Sequence, residues 1–239
     1  MNLLSSLDLR PTSIFCVGKN YRLHAEEMRR WESPASGEAA DVKQPEEPII
    51  FLKSASALST DGTTAIPSLW GRPVSNEMHY EAELVLLVGR DASDIGEEDA
   101  ASCIAGYGVG LDMTLRDVQL AAKKKGNPWF KSKGFRKSAL VSDFVPAPEV
   151  SGAESLAFEL SLNGRRVQRG DPRKMLFGCT YLISYLSYIY GLRSGDLVFT
   201  GTPEGVGPVT RGDRLTASLH RNGTTTEAGM ITGISVTVA

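Results

Sequence analysis

Three carboxylates stand in two short stretches of the chain: Glu81 and Glu83 in His79-Tyr80-Glu81-Ala82-Glu83-Leu84, and Asp112 in Gly108-Val109-Gly110-Leu111-Asp112. The apolar run Ala82 to Val88 reads as a buried strand, and alternation along a strand puts Glu81 and Glu83 on one side. Neighbouring carboxylates repel, and burial adds roughly several kcal/mol for each uncompensated charge. A bound divalent cation removes that penalty. An all-carboxylate set selects a hard ion, Mg2+ with Mn2+ or Ca2+ able to take its place, and leaves coordination positions for water and substrate. Taken alone, the glutamates also read as a solvated strand face, and Asp112 as a cap for a helix beginning at Met113.

His24 and Glu27 are three residues apart, on one face of a helix, where a carboxylate can orient an imidazole that acts as a base. The cations Lys123, Lys124, Lys125, Lys131, Lys133, Arg136 and Lys137 form a broken basic run. No nucleic-acid motif accompanies it, so most of these side chains are expected in solvent, with one or two turned inward toward an anionic substrate. Thr200 to Pro208 is rich in glycine but lacks the Gly-Lys-Ser/Thr ending of a phosphate loop. Its amides and the Thr202 hydroxyl are suited to a carboxylate instead.

These residues need a scaffold, and 239 residues with 41% hydrophobic content supply enough for a substantial core. A net charge of -2 gives no reason to expect nucleic acid as a partner. Cys16, Cys103 and Cys179 are far apart in apolar surroundings, which predicts buried thiols and no zinc site. The first residues lack a signal-peptide pattern and no run approaches the roughly 18 apolar residues that span a bilayer, so a cytoplasmic protein without membrane contact is expected.

Strands are predicted at Ser13 to Val17, Pro48 to Lys53, 79 to 88, Leu156 to Leu162 with a return at Arg165 to Gln168, Leu197 to Thr200, Leu215 to Leu219 and Ile234 to Val238. Helices are predicted at Asn20 to Arg30, Ile95 to Ala105, Leu115 to Lys125 and Lys174 to Tyr190. Trp31 to Pro48 has loop composition. With no internal repeat or linker, the expectation is one mixed, strand-rich α+β domain over 1–239, with a lid at about residues 20–48.

The order and spacing of several segments resemble the fumarylacetoacetate hydrolase family, and within it the acylpyruvate hydrolases. They are Val17-Gly18-Lys19-Asn20-Tyr21 with His24 and Glu27-Met28, His79 to Leu84, and Gly106 to Gln119. Further ones are Trp129 with Lys133-Gly134-Phe135, Asn163-Gly164 with Gln168, Met175, and Gly195-Asp196 leading into Thr200 to Gly207. The resemblance implies a mixed β-roll of the family's C-terminal domain type, usually homodimeric, with Mg2+ or Mn2+ on Glu81, Glu83 and Asp112. It also implies a His24 and Glu27 dyad, with Arg116, Gln119, Lys133 and Thr202 lining the substrate site.

The activity this predicts is hydrolysis of a carbon-carbon bond in a 2,4-dioxo acid of acylpyruvate or fumarylpyruvate type, His24 activating water and Lys133 stabilising the pyruvate enolate. Oxaloacetate decarboxylation or keto-enol tautomerisation is the alternative, since the same grip on a 2-oxo acid serves it, and 2-hydroxyhepta-2,4-diene-1,7-dioate isomerisation is a further one. The dyad favours hydrolysis. A noncatalytic metal-stabilised protein would instead fold with metal and turn nothing over. Two departures from the family pattern are Arg136 to Asp143, where relatives place an aspartate and then a proline, and the length of Trp31 to Pro48. Arg136 is therefore expected to favour a second carboxylate on the substrate.

Overall fold

The strand Ala82–Val88 is buried along its whole length because it lies between two others, antiparallel to Leu197–Phe199 on one side and to Ile104–Asp112 on the other. Burial on both faces is why this segment, Glu83 apart, is apolar rather than alternating. The computed structural model describes residues 11–32, 45–59, 61–223 and 229–239. Its large sheet runs, in spatial order, through 49–53, 14–18, 197–199, 82–88, 104–112, 139–141 and 58–59, with 145–146 also paired to 104–112.

A five-stranded sheet runs 165–170, 156–162, 214–221, 230–238 and 63–64. Here Leu215, Ala217 and Leu219 are buried while Arg214 and Thr216 are exposed, the alternation of a half-buried strand. Leu84, Leu86, Val109 and Leu111 of the large sheet meet Phe158, Leu160, Leu219 and Val236 of the second in one core. The opposite face of the large sheet is covered in part by Phe144, packed with Val85, Leu87 and Phe199. A small sheet of 114–115, 78–80 and 207–209 stands beside them. The fold is mixed, strand-rich α+β with a curled half-barrel sheet, as the resemblance implies.

Several expectations change. The helix predicted for Ile95 to Ala105 is only one turn at Glu97–Ala100 followed by a 3-10 turn, and Ile104 already opens a nine-residue strand. That strand ends at Asp112, so Asp112 is a strand residue and not a helix cap. Its glycines disguise it: a Cβ on Gly110 would lie 2.7 Å from Val85 Cγ2 and 2.8 Å from the Leu140 carbonyl oxygen. Glycine here serves close approach within the sheet, at the expense of strand propensity.

The helix expected from Lys174 starts at Cys179, after a 3-10 turn at Pro172–Lys174. Helix α1, Arg22–Glu32, runs slightly past Arg30 and takes in Trp31. The lid expected over 20–48 falls partly on residues 33–44, outside the described residues. All three cysteines are free and buried. Among the described residues no helix is long and apolar enough to cross a membrane.

Candidate active site

Glu81 occupies the break between Met78–Tyr80, a strand of the small sheet, and Ala82–Val88 of the large one. Antiparallel pairing of Ala82 with Leu111, and of Glu83 with Gly110, carries Asp112 alongside, and the Asp112 amide donates to the Glu81 carbonyl at 2.8 Å. One oxygen from each of Glu81, Glu83 and Asp112 lies within 4.8 Å of the others, and all three residues are buried. Asp112 is remote in sequence from the two glutamates, yet one strand pairing brings it beside them.

Three buried cations face them. Lys133 Nζ is 2.6 Å from Glu81 Oε2 and 2.8 Å from Asp112 Oδ2. Arg116 donates through Nη2 to Glu81 Oε1 at 2.5 Å and through Nη1 to Gln119 Oε1 at 2.7 Å. Lys53 Nζ lies 2.7 Å from Asp112 Oδ1, an ion pair without the direction of a hydrogen bond. It also donates to Ser138 Oγ at 2.9 Å, to the Met113 carbonyl at 3.3 Å and to the Lys133 carbonyl.

The two glutamates respond oppositely to this setting. Burial alone would raise the Glu81 pKa, but Lys133 and Arg116 overcome it and hold the carboxyl well below its usual range. Glu83 has no ion pair among the described residues; its partner is the Gly201 amide, which donates to Oε2 at 2.6 Å. Burial, then Asp112 and Glu81, push its pKa well above the usual carboxylate value. A carboxylate so placed wants a cation, and the all-oxygen donor set with one under-compensated member suits a hard divalent ion. Glu81, Glu83 and Asp112 fit such an ion.

Helix α1 brings the remaining polar pair. His24 is buried, with Nδ1 3.3 Å from Glu27 Oε2, and the Gly205 amide donates to both Glu27 oxygens at 3.1 and 3.3 Å. Gly201 and Gly205 both have positive φ, 100° and 94°, and a Cβ there would strike Asn20 Cβ at 2.7 Å and the Val167 carbonyl at 2.4 Å. Glycine lets this loop aim one amide at Glu83 and another at Glu27. Between them, Thr202 Oγ1 accepts from Gln168 Nε2 at 2.9 Å, while Gln168 Oε1 accepts from the Ala82 amide at 2.9 Å.

His24, Glu81, Glu83, Arg116, Gln119, Lys133 and Thr202 line one cleft, together with Lys19, Lys123, Phe51 and Trp129. Glu27 reaches the cleft through His24, and Asp112, fully buried, reaches it through Lys133. Of the basic run, Lys124, Lys125, Lys131 and Arg136 are exposed, while Lys133 and Lys123 face the cleft. Arg136 is absent from the lining, so the expectation that it meets a second substrate carboxylate is not supported; at the end of the Phe130–Lys133 turn the chain leaves the cleft before reaching it. Sequence reasoning missed Lys53 and Ser138. The signal for Lys53 was a lone charge closing an apolar strand, and it is the one fully buried residue of Ile49–Lys53.

Residues 13–235 match the family model for the fumarylacetoacetate (FAA) hydrolase C-terminal domain. The chain is 41% identical over 222 residues to oxaloacetate tautomerase YcgM of Escherichia coli (strain K12), covering 92% of this chain and 94% of that protein. It is 38% identical over 208 residues to the mitochondrial oxaloacetate tautomerase FAHD1 of Homo sapiens, covering 87% of each. The crystal structure of fumarylpyruvate hydrolase from Pseudomonas aeruginosa in complex with Mn2+ and pyruvate superposes with a TM-score of 0.79 at 35% identity, over 97% of this chain and 91% of that one. With a single model matching nearly its whole length and relatives this similar, the chain belongs to the fumarylacetoacetate hydrolase family.

Proposed function

We propose that this enzyme interconverts the keto and enol forms of oxaloacetate with the help of a divalent cation. The observation that carries the reading is the 41% identity to an oxaloacetate tautomerase across 92% of the chain. Charge in the cleft agrees with it. Lys53, Lys133 and Arg116 balance Glu81, Glu83 and Asp112, all six buried. A divalent ion then leaves these buried groups with positive charge in excess, to which Lys19 and Lys123 of the cleft lining add, a setting suited to a dicarboxylate such as oxaloacetate.

Glu81, Glu83 and Asp112 would hold the ion, and Mg2+, or Mn2+ or Ca2+ in its place, supplies Lewis-acid polarisation of an oxo group and an adjacent carboxylate. Glu27, fixed by the Gly205 amide, sets the His24 ring so that Nδ1 donates and Nε2 is left as the base. His24 takes a proton from C3 of the substrate, and the C3–H electrons become the C2=C3 double bond as charge moves onto the 2-oxygen. Lys133, beside Glu81 and Asp112, stabilises that oxygen and gives it a proton. Arg116, Gln119 and Thr202 hold the substrate carboxylates. Return of the proton to C3 runs the reaction backward.

The balance thus moves from hydrolysis, expected from the dyad, to tautomerisation because of the similarity to oxaloacetate tautomerases. The dyad permits the change: a base placed to activate water is equally able to remove a proton from carbon beside a polarised carbonyl. Hydrolysis of an acylpyruvate to pyruvate and a carboxylic acid remains the second reading, favoured by the similarity to the fumarylpyruvate hydrolase structure. We further propose a homodimer, the assembly that the resemblance implies, which light scattering of the purified chain would weigh.

The deciding experiment follows loss of the enol absorbance of oxaloacetate with Mg2+ and with excess chelator, beside pyruvate release from fumarylpyruvate, other acylpyruvates and oxaloacetate. Chelator-sensitive ketonisation without pyruvate is expected. Pyruvate from an acylpyruvate at a higher kcat/KM would overturn tautomerisation in favour of hydrolysis, and pyruvate from oxaloacetate alone would favour decarboxylation.

A further inference from the structure

Helix α1 presents His24, Glu27, Met28 and Trp31 at positions i, i+3, i+4 and i+7, on one face. The first three lead to the cleft and its supporting loop. Trp31 reaches elsewhere. Its ring meets the His79 imidazole edge-on at 5.1 Å and an interplanar angle of 87°, and the Arg116 guanidinium carbon lies 5.9 Å from the ring centroid. His79 is buried, bonded through Nε2 to Glu77 Oε1 at 2.7 Å, and stands two residues before Glu81 in the chain. Arg116 is buried and directs its N–H edge to Glu81 and Gln119. Among the described residues the Arg116 Nε and His79 Nδ1 atoms have no hydrogen-bond partner.

We propose that Trp31 is a positioning residue that seats α1 on the site, its indole covering Arg116 and the edge of His79 so that His24 is registered against the carboxylates. The geometry explains why one residue can do this. Arg116 binds Glu81 in its own plane, so the face of the guanidinium is the part left for an aromatic ring. His79 shares the backbone of Glu81. Trp31 therefore touches Arg116, which binds the Glu81 carboxylate, and His79, two residues before Glu81, from the helix that carries His24 seven residues earlier. Seating orients the base toward C3 and leaves the donor set as it is. It therefore acts on turnover more than on ion or substrate affinity.

This rests on the reading of His24 as the base, and the test separates the two. Full-length Trp31→Ala and Trp31→Phe are compared with the unsubstituted chain under saturating Mg2+, by oxaloacetate ketonisation and by amide hydrogen exchange. For Trp31→Ala the expected result is a kcat lower by about 10- to 100-fold with KM within about threefold, and substantial recovery in Trp31→Phe. Exchange across Arg22–Glu32 should quicken about tenfold in Trp31→Ala while Ala82–Val88 keeps its protection.

Unchanged exchange in α1 overturns the seat, and so does unchanged kcat with faster exchange overturn the positioning role. Equal loosening of Ala82–Val88, or no recovery with phenylalanine, marks a merely structural residue and also overturns it. If the unsubstituted chain does not ketonise oxaloacetate, the proposed function fails by itself. The exchange comparison then decides whether Trp31 seats the helix.

Discussion

Replacing Lys53 with methionine tests how the buried charges are balanced. The substitution keeps most of the side-chain volume but removes a cation 2.7 Å from Asp112 Oδ1 and the donor to Ser138 Oγ and two backbone carbonyls. Breaking a buried pair by deleting one partner costs about 3–5 kcal/mol, and although Asp112 keeps Lys133, its Oδ1 oxygen and the Ser138 hydroxyl both lose the buried cation. At about 2–4 °C per kcal/mol for a chain of this size, the metal-free midpoint should fall by about 6–20 °C.

The sign reverses for the ion. With Lys53 gone, Asp112 attracts a divalent cation more strongly, so saturating Mg2+ should restore more stability to the variant than to the unsubstituted chain. At a hundredfold excess over Kd an ion that binds only the folded state contributes about 2.7 kcal/mol, and tighter binding raises that at fixed concentration. Thermal unfolding with chelator and with a Mg2+ series, beside calorimetric titration of the ion, measures both halves. A metal-free midpoint within about 2 °C of the unsubstituted chain, or weaker Mg2+ binding by the variant, would refute the charge reasoning.

His24→Ala should lower turnover on the order of 10²- to 10⁴-fold while calorimetry still finds the ion bound; near-normal turnover removes His24 from the chemistry. Gly110→Ala forces a methyl against Val85 and the Leu140 carbonyl and should destabilise the fold by about 1–3 kcal/mol, read as a lower denaturant midpoint with unchanged slope. The Asp117 carboxyl is held below its usual range: burial alone would raise it, but the Asn76 and Val118 amides and the Ser75 hydroxyl outweigh that. A lowered folded-state pKa contributes stability in full above the unfolded value of about 3.9 and loses it as pH falls through the lower folded value. The stability gap between the unsubstituted chain and Asp117→Asn should therefore close as pH drops below about 4, and a gap independent of pH would contradict this.

The carboxylate trio was legible because its cause is local: two glutamates at period two beside an apolar run, and an aspartate ending a glycine-studded segment. That the segment is itself a strand was not legible. Glycine lowers strand propensity, and the reason for Gly110 lies in Val85 and Leu140, which only the sheet brings near. Helix α1 was readable from its composition, and the hairpin from Asn163-Gly164, since both are decided by neighbours in sequence. Lys53 was hidden for the opposite reason. Its partners Asp112, Met113, Lys133 and Ser138 are 59 to 85 positions away, and pattern along the chain carries no mark of them.

The loop from Thr200 to Gly205 gives the two halves of the cleft a common datum. Glu83 is fixed against the Gly201 amide and Glu27 against the Gly205 amide, four residues along the same short backbone. Main-chain donors cannot be retuned by exchanging side chains, so the offset between ion ligand and base helper is written into the loop's dihedral angles. Length change here would displace both at once, whereas point changes in the cleft move one group against a fixed frame. Variation in substrate preference built on this scaffold is therefore expected in the side chains facing the loop, with the loop itself kept at constant length.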